Sequence, residues 1–142
     1  MRVAILLMLS VCGVRAEFLH IQVSVRDMNC ESCSESLGSI FKRMRGVENV
    51  DIDYKAATIR LDLAAQNRIS VEQVWDAIKR VGFTPGSTKV DVRGVVGEGK
   101  IEVREANKTY RIEGRAADGD VELKGTTEPP PDPRTPIVIR VE

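Results

Sequence analysis

After an apolar start, only two stretches of this 142-residue chain carry apolar residues at helical spacing, and each stands between segments that alternate. Ile21, Val23 and Val25 fall on one face of a strand in "HIQVSV". Leu37, Ile40, Phe41 and Met44 then recur at the spacing of one helix face, and Gly46 ends that helix. Val50 and Ile52 share one strand face, and Ile59, Leu61 and Leu63 another, with "YKAAT" as the hairpin connection between them. Ser70 and Gln73 make an S-x-x-Q capping box, in which each side chain satisfies a backbone donor that the helix start leaves open. Val71, Val74, Trp75, Ile78 and Val81 form the buried stripe of that second helix, and Gly82 stops it. A further strand is expected near Phe83. The predicted order is β, α, β, β, α, β.

That order is the split βαβ, or ferredoxin-like, arrangement. From Ser87 the helical period vanishes. "KVDVRG", "KIEVRE", "TYRIEG", "DVELKG" and "PIVIRVE" alternate instead, separated by turn signals such as "GEG" and "DG". Five short strands without a helix predict a small closed or nearly closed barrel of OB-like Greek-key type, with a plain five-stranded meander as the alternative. "EPPPDPRTP" reads as a stiff, exposed polyproline connection before the last strand. The fold class is therefore α+β. Residues 17–86 form a ferredoxin-like domain and residues 87–142 a small all-β, OB-like domain, joined by a short linker at Pro85–Ser87. On this reading a chain ending near Gly86 folds by itself; the alternative is that the strand from Phe83 runs on into "STKVDV", so that such a cut removes part of the first domain's edge strand.

The apolar start has its own meaning. Arg2 precedes "VAILLMLSV", a run too short and wrongly flanked to span a membrane. With "VRA" after it, residues 1–16 read as a secretory signal peptide cut between Ala16 and Glu17, which makes the protein secreted and periplasmic. The alternatives are a lipoprotein anchored through Cys12, against which the bulky Val11 argues, and an uncleaved membrane anchor. Removing residues 1–16 takes away two arginines and no acid, leaving 126 residues with 19 basic and 21 acidic side chains, a formal charge of −2. Nucleic-acid binding, which draws on strong positive charge, is not expected.

"MNCESC", residues 28 to 33, carries the candidate chemistry. Cys30 falls in the loop after the first strand. Ser32 is placed to cap the helix, with Glu35 completing S-x-x-E, so that Cys33 lies in the first turn, where open backbone N–H groups and the helix dipole favour a thiolate. Two converging thiolates suit a soft ion of low coordination number, Cu(I) or equally Hg(II). Three other readings compete. A structural disulfide closing so small a loop contributes little stability. A thioredoxin-like redox pair belongs to another topology and has aromatic and proline neighbours that "NCES" lacks. Tetrahedral zinc needs four ligands, and the mature chain offers these two cysteines and His20, which lies a full strand length before Cys30.

"DMNCESC" in this order of elements resembles the M-x-C-x-x-C motif of the heavy-metal-associated domain family, which includes copper chaperones, amino-terminal domains of copper-transporting P-type ATPases and a periplasmic mercury-binding protein. The resemblance covers about residues 20 to 86. It implies that Cys30 and Cys33 bind the metal, that Met28 is a buried prop of the loop and not a ligand, and that Phe83 of "GF" covers the metal site, an ordinary core aromatic being the alternative. Asp27 stands where the family often has glycine. The β-rich extension lies outside the family core and has one aromatic residue, Tyr110, so the stacking platform of a nucleic-acid-binding OB domain is missing.

Lys42, Arg43 and Arg45 complement the dipole at the end of the first helix, or form a docking patch for an acidic partner in metal hand-off. The leading function is an exported carrier or scavenger that holds one soft ion between Cys30 and Cys33 and exchanges it with a metal-donor or metal-acceptor protein. A thiol-disulfide redox protein, or an adaptor whose β domain is the functional half, is the alternative. No constellation of acid, base and nucleophile appears, and no enzyme is expected.

Overall fold

The computed structural model describes residues 15–142; the expected leader up to Val14, with Cys12, lies outside the described residues. Four strands and two helices build the first half: β1 (Glu17–Val25), α1 (Glu31–Arg43), β2 (Val47–Asp53), β3 (Thr58–Leu63), α2 (Val71–Arg80) and β4 (Pro85–Gly97). The strands lie in the order β2-β3-β1-β4, every neighbour antiparallel, as a ferredoxin-like βαββαβ unit requires. Alternation sends Ile21, Val23, Ile59, Leu61, Val90 and Val92 into the core, where Leu37 and Phe41 of α1 and Val74 and Ile78 of α2 are also buried. The predicted capping box of α2 is present, with the Ser70 hydroxyl accepting from the Gln73 N–H and the Gln73 side chain accepting from the Ser70 N–H. Between α1 and β2 the chain turns at Gly46 with φ +98°, a conformation in which an L side chain is strained.

The second half adds β5 (Lys100–Val103), β6 (Lys108–Glu113), β7 (Gly119–Thr127) and β8 (Val138–Val141). Starting from β4, the pairings run β4–β5, β5–β6, β6–β8, β8–β7 and β7–β4, which closes a five-stranded barrel; only β6–β8 is parallel. All five alternating runs of the sequence are strands.

One of those five runs does double duty. The fourth ferredoxin strand starts at Pro85, near Phe83 as expected, but runs unbroken for 13 residues into the barrel. Its Pro85–Arg93 part pairs with β1, and its Thr88–Val96 part pairs with β7 on the other edge. The expected border at 86/87 and the linker at Pro85–Ser87 therefore fall inside one strand. Gly94 sits where β4 passes from one sheet into the other, and a Cβ there would lie 2.6 Å from the Glu102 carbonyl oxygen, so the close approach of β5 requires glycine.

The core is continuous across the halves. Phe18 of β1 meets Tyr110 of β6 edge to face, centroids 5.7 Å apart, a geometry worth about 0.5–1.5 kcal/mol beyond burial. The Tyr110 hydroxyl donates to Glu72 of α2 at 2.7 Å, and the Trp75 indole donates to the Thr88 hydroxyl at 2.9 Å. Burial first, then the Glu72 carboxylate, push the Tyr110 hydroxyl far above its ordinary pKa, so it remains a donor. The proline-rich segment is bent where a stiff extended run was expected: Asp132 accepts from the backbone N–H groups of Arg134 and Thr135 and closes a turn. Among the described residues no helix is long and apolar enough to cross a membrane.

Candidate metal centre

β1 ends at Val25, and the next residue is tied down: the Arg26 N–H donates to the Thr84 carbonyl at 3.0 Å. Residues 26 to 29 then turn back, with the Asn29 N–H on the Asp27 carbonyl at 3.1 Å. Met28 points inward and is 1% exposed. It anchors the loop between two exposed polar neighbours, Asp27 and Asn29, which fits the role of a prop.

Cys30 is the cap of α1. Its backbone is extended (φ −136°, ψ 151°), and its sulfur accepts from the Cys33 N–H at 3.2 Å. Ser32, expected to cap, lies inside the first turn with its hydroxyl 3.4 Å from the Cys30 sulfur. The helix starts before the S-x-x-E pattern because the Cys30 sulfur already meets a first-turn donor. Cys33 is thus the third helical residue, at the positive end of the helix dipole as expected. Both cysteines are half-buried and are joined by a disulfide, Cα atoms 5.3 Å apart.

The remaining candidates fall elsewhere. His20 is in the body of β1, where its Nδ1 lies 2.8 Å from Asp62 Oδ1. Among the described residues no three of His, Cys, Asp and Glu gather as a metal site, so a zinc set is not assembled. Phe83 is half-buried against the core and lines a cleft of about 390 Å³ with Arg26 and Thr84 on one side and Glu128–Pro130 on the other. That places it beside the base of the loop, four residues before Cys30; the cysteines do not line the cleft. Lys42 and Arg43 occupy the last turn of α1, so the helix holds them roughly 18 Å from the cysteine end. At that distance they complement the dipole of α1 and do not touch the pair.

The family described as "Heavy-metal-associated domain" matches residues 22–84. The copper chaperone CopZ of Staphylococcus haemolyticus (strain JCSC1435) is 31% identical over 61 residues, which is 43% of this chain and 88% of that protein. The chain belongs to the heavy-metal-associated domain family. Solved structures similar to it include oxidised MerP from Ralstonia metallidurans CH34, with 19% identity and a TM-score of 0.44 over 48% of this chain and 93% of that one. The yeast copper transporter domain Ccc2a is 18% identical, with a TM-score of 0.44 over 47% and 90%. The heavy-metal-associated domain match stops at Thr84, one residue before β4; the barrel lies outside it.

Proposed function

We propose that this protein is an exported, periplasmic carrier or scavenger of a soft metal ion, Cu(I) first and Hg(II) second, and that it is not an enzyme. The observation that carries the reading is the placement of both sulfurs at one helix start, half-exposed and within bonding reach, on a loop pinned by Met28. Two thiolates there give linear or near-linear coordination, and an incoming thiolate of a partner can attack before either ligand leaves. The similarity to a copper chaperone supports Cu(I) as the first metal to test. The ferredoxin-like half holds the ion. The barrel, read as OB-like because its ring of strands closes with one parallel pair between the third and the last, offers a surface to a metal-donor or metal-acceptor protein.

The disulfide sets a condition. The Cys30–Cys33 bond must take up two electrons and two protons to give two thiols, and metal binding then releases those protons. That condition also motivates the second reading, a thiol-disulfide redox protein. Anaerobic titration of the reduced chain with Cu(I) against a competing chelator separates the two. One ion per chain is expected, with Cys30→Ser and Cys33→Ser each weakening binding at least about a hundredfold. Tight binding that survives the double substitution overturns the site, and rapid insulin reduction without Cu(I) binding favours the redox reading.

A further inference from the structure

The sheet face turned away from the helices holds a second, unrelated constellation. Strand register lines up Asp62 of β3, His20 of β1, Asp91 of β4 and Lys124 of β7 in one row. Two residues along, Arg60, Gln22 and Lys89 form the next row. A cleft of about 310 Å³ opens between them, a volume suited to a small molecule and not to a folded partner.

The cleft has an acidic pole at Asp62 and Asp91 and a basic pole at Arg60, Lys89 and Lys124, the last standing opposite Asp91 in its own row. Asp91 Oδ1 is buried and has no hydrogen-bond partner, a costly arrangement for a carboxylate. Burial and the neighbouring Glu122 carboxylate raise the Asp91 pKa, with Lys124 and His20 partly offsetting them. His20 spends Nδ1 on Asp62, which leaves its other ring nitrogen for a second partner. This pole wants a hydrogen-bond donor with positive charge. Lys89 and Lys124 take part in no ion pair among the described residues, and Arg60 uses Nε on Asp62, leaving its terminal nitrogens. This pole wants an oxyanion. Asp91 and Lys89 are two residues apart on one strand, about 6–7 Å between Cα atoms. An ammonium and a carboxylate on one carbon, each at ordinary hydrogen-bond distance, bridge that span. A simple anion would meet Asp91 and Glu142 at the cleft wall, and a simple cation would meet two lysines and an arginine.

We infer that this cleft binds a small zwitterion of the α-amino-acid type, with its ammonium on Asp91 and His20 and its carboxylate on Lys89 and Arg60. The site is independent of the cysteine pair and is built from β1, β3, β4 and β7, so it exists only because β4 is shared between sheet and barrel.

The test is an NMR titration of the full chain with L-alanine, with acetate and methylammonium as single-charge controls. Expected are saturating shifts confined to the amides around His20, Arg60, Lys89, Asp91 and Lys124, with each control at least about tenfold weaker. Asp91→Asn and Lys89→Gln should each weaken L-alanine binding at least about tenfold while the dispersion of the spectrum stays native. Failure to saturate with L-alanine, an equal response to acetate alone, or full affinity in both cleft variants overturns the assignment.

Discussion

Met28 and Asp91 are two residues under opposite pressures. Met28 is buried at the root of the cysteine loop. Met28→Ala should cost about 2–5 kcal/mol of stability in chemical denaturation while lowering Cu(I) affinity less than either cysteine substitution does. Unchanged stability with lost binding would make Met28 a ligand. Asp91 is a charge held at a cost. A carboxyl whose folded-state pKa is raised loses stability at neutral pH, and that loss is relieved as pH falls through its folded pKa. Asp91→Asn should therefore raise Tm at neutral pH, with the gain shrinking in acid. Asp62 has the opposite sign: burial works against its charged form, but hydrogen bonds from Asn49, His20 and Arg60 outweigh it and lower its pKa. Its contribution is present at neutral pH and fades as pH falls below the ordinary carboxylate value of 3.8. Thermal melts of the wild type and Asp91→Asn across the acid range check both signs.

At the scale of elements, β4 decides how the halves depend on each other. A chain ending at Gly86 keeps both helices and both cysteines but loses nearly all of β4, including the buried core residues Val90 and Val92, which stand opposite Ile21 and Phe18 of β1. The expectation that this chain folds alone is therefore replaced by its opposite. Circular dichroism should show no cooperative melt for a chain ending at Gly86 and a cooperative melt for one ending at Gly97, which keeps all of the Pro85–Arg93 part that pairs with β1. Similar melts in both would mean that β1–β3 and the helices suffice. The same strand explains what was legible here. The alternating and helical runs became the predicted element types, because period is a local property, but Val81, expected in the buried stripe of α2, is its exposed C-cap. The border at 86/87 was left open by the sequence, because "PG" and "STKVDV" form one strand that only its two neighbours establish.

At the scale of the molecule, one buried cluster runs from Leu37 of α1 to Ile139 of β8. Phe18, Tyr110, Glu72, Trp75 and Thr88 stitch the halves across it. Calorimetry should accordingly record a single unfolding transition, and two resolved transitions would show that the barrel is an autonomous unit. Tyr110→Phe should lower the whole transition by about 1–3 kcal/mol, since it leaves Glu72 without the hydroxyl donor while preserving the packing of the ring.

By itself the sequence determined the ferredoxin-like order of elements, the barrel strands and the pair of cysteines at a helix start. Each of these rests on spacing over a few residues, and spacing is written in the chain. Only the tertiary structure decided that Cys30 and not Ser32 caps α1, that β4 serves two sheets, and that His20, Arg60, Lys89, Asp91 and Lys124 share a cleft. Those facts depend on which backbone donor a side chain meets and on the register of strands up to a hundred residues apart, and register is set by how the whole core packs.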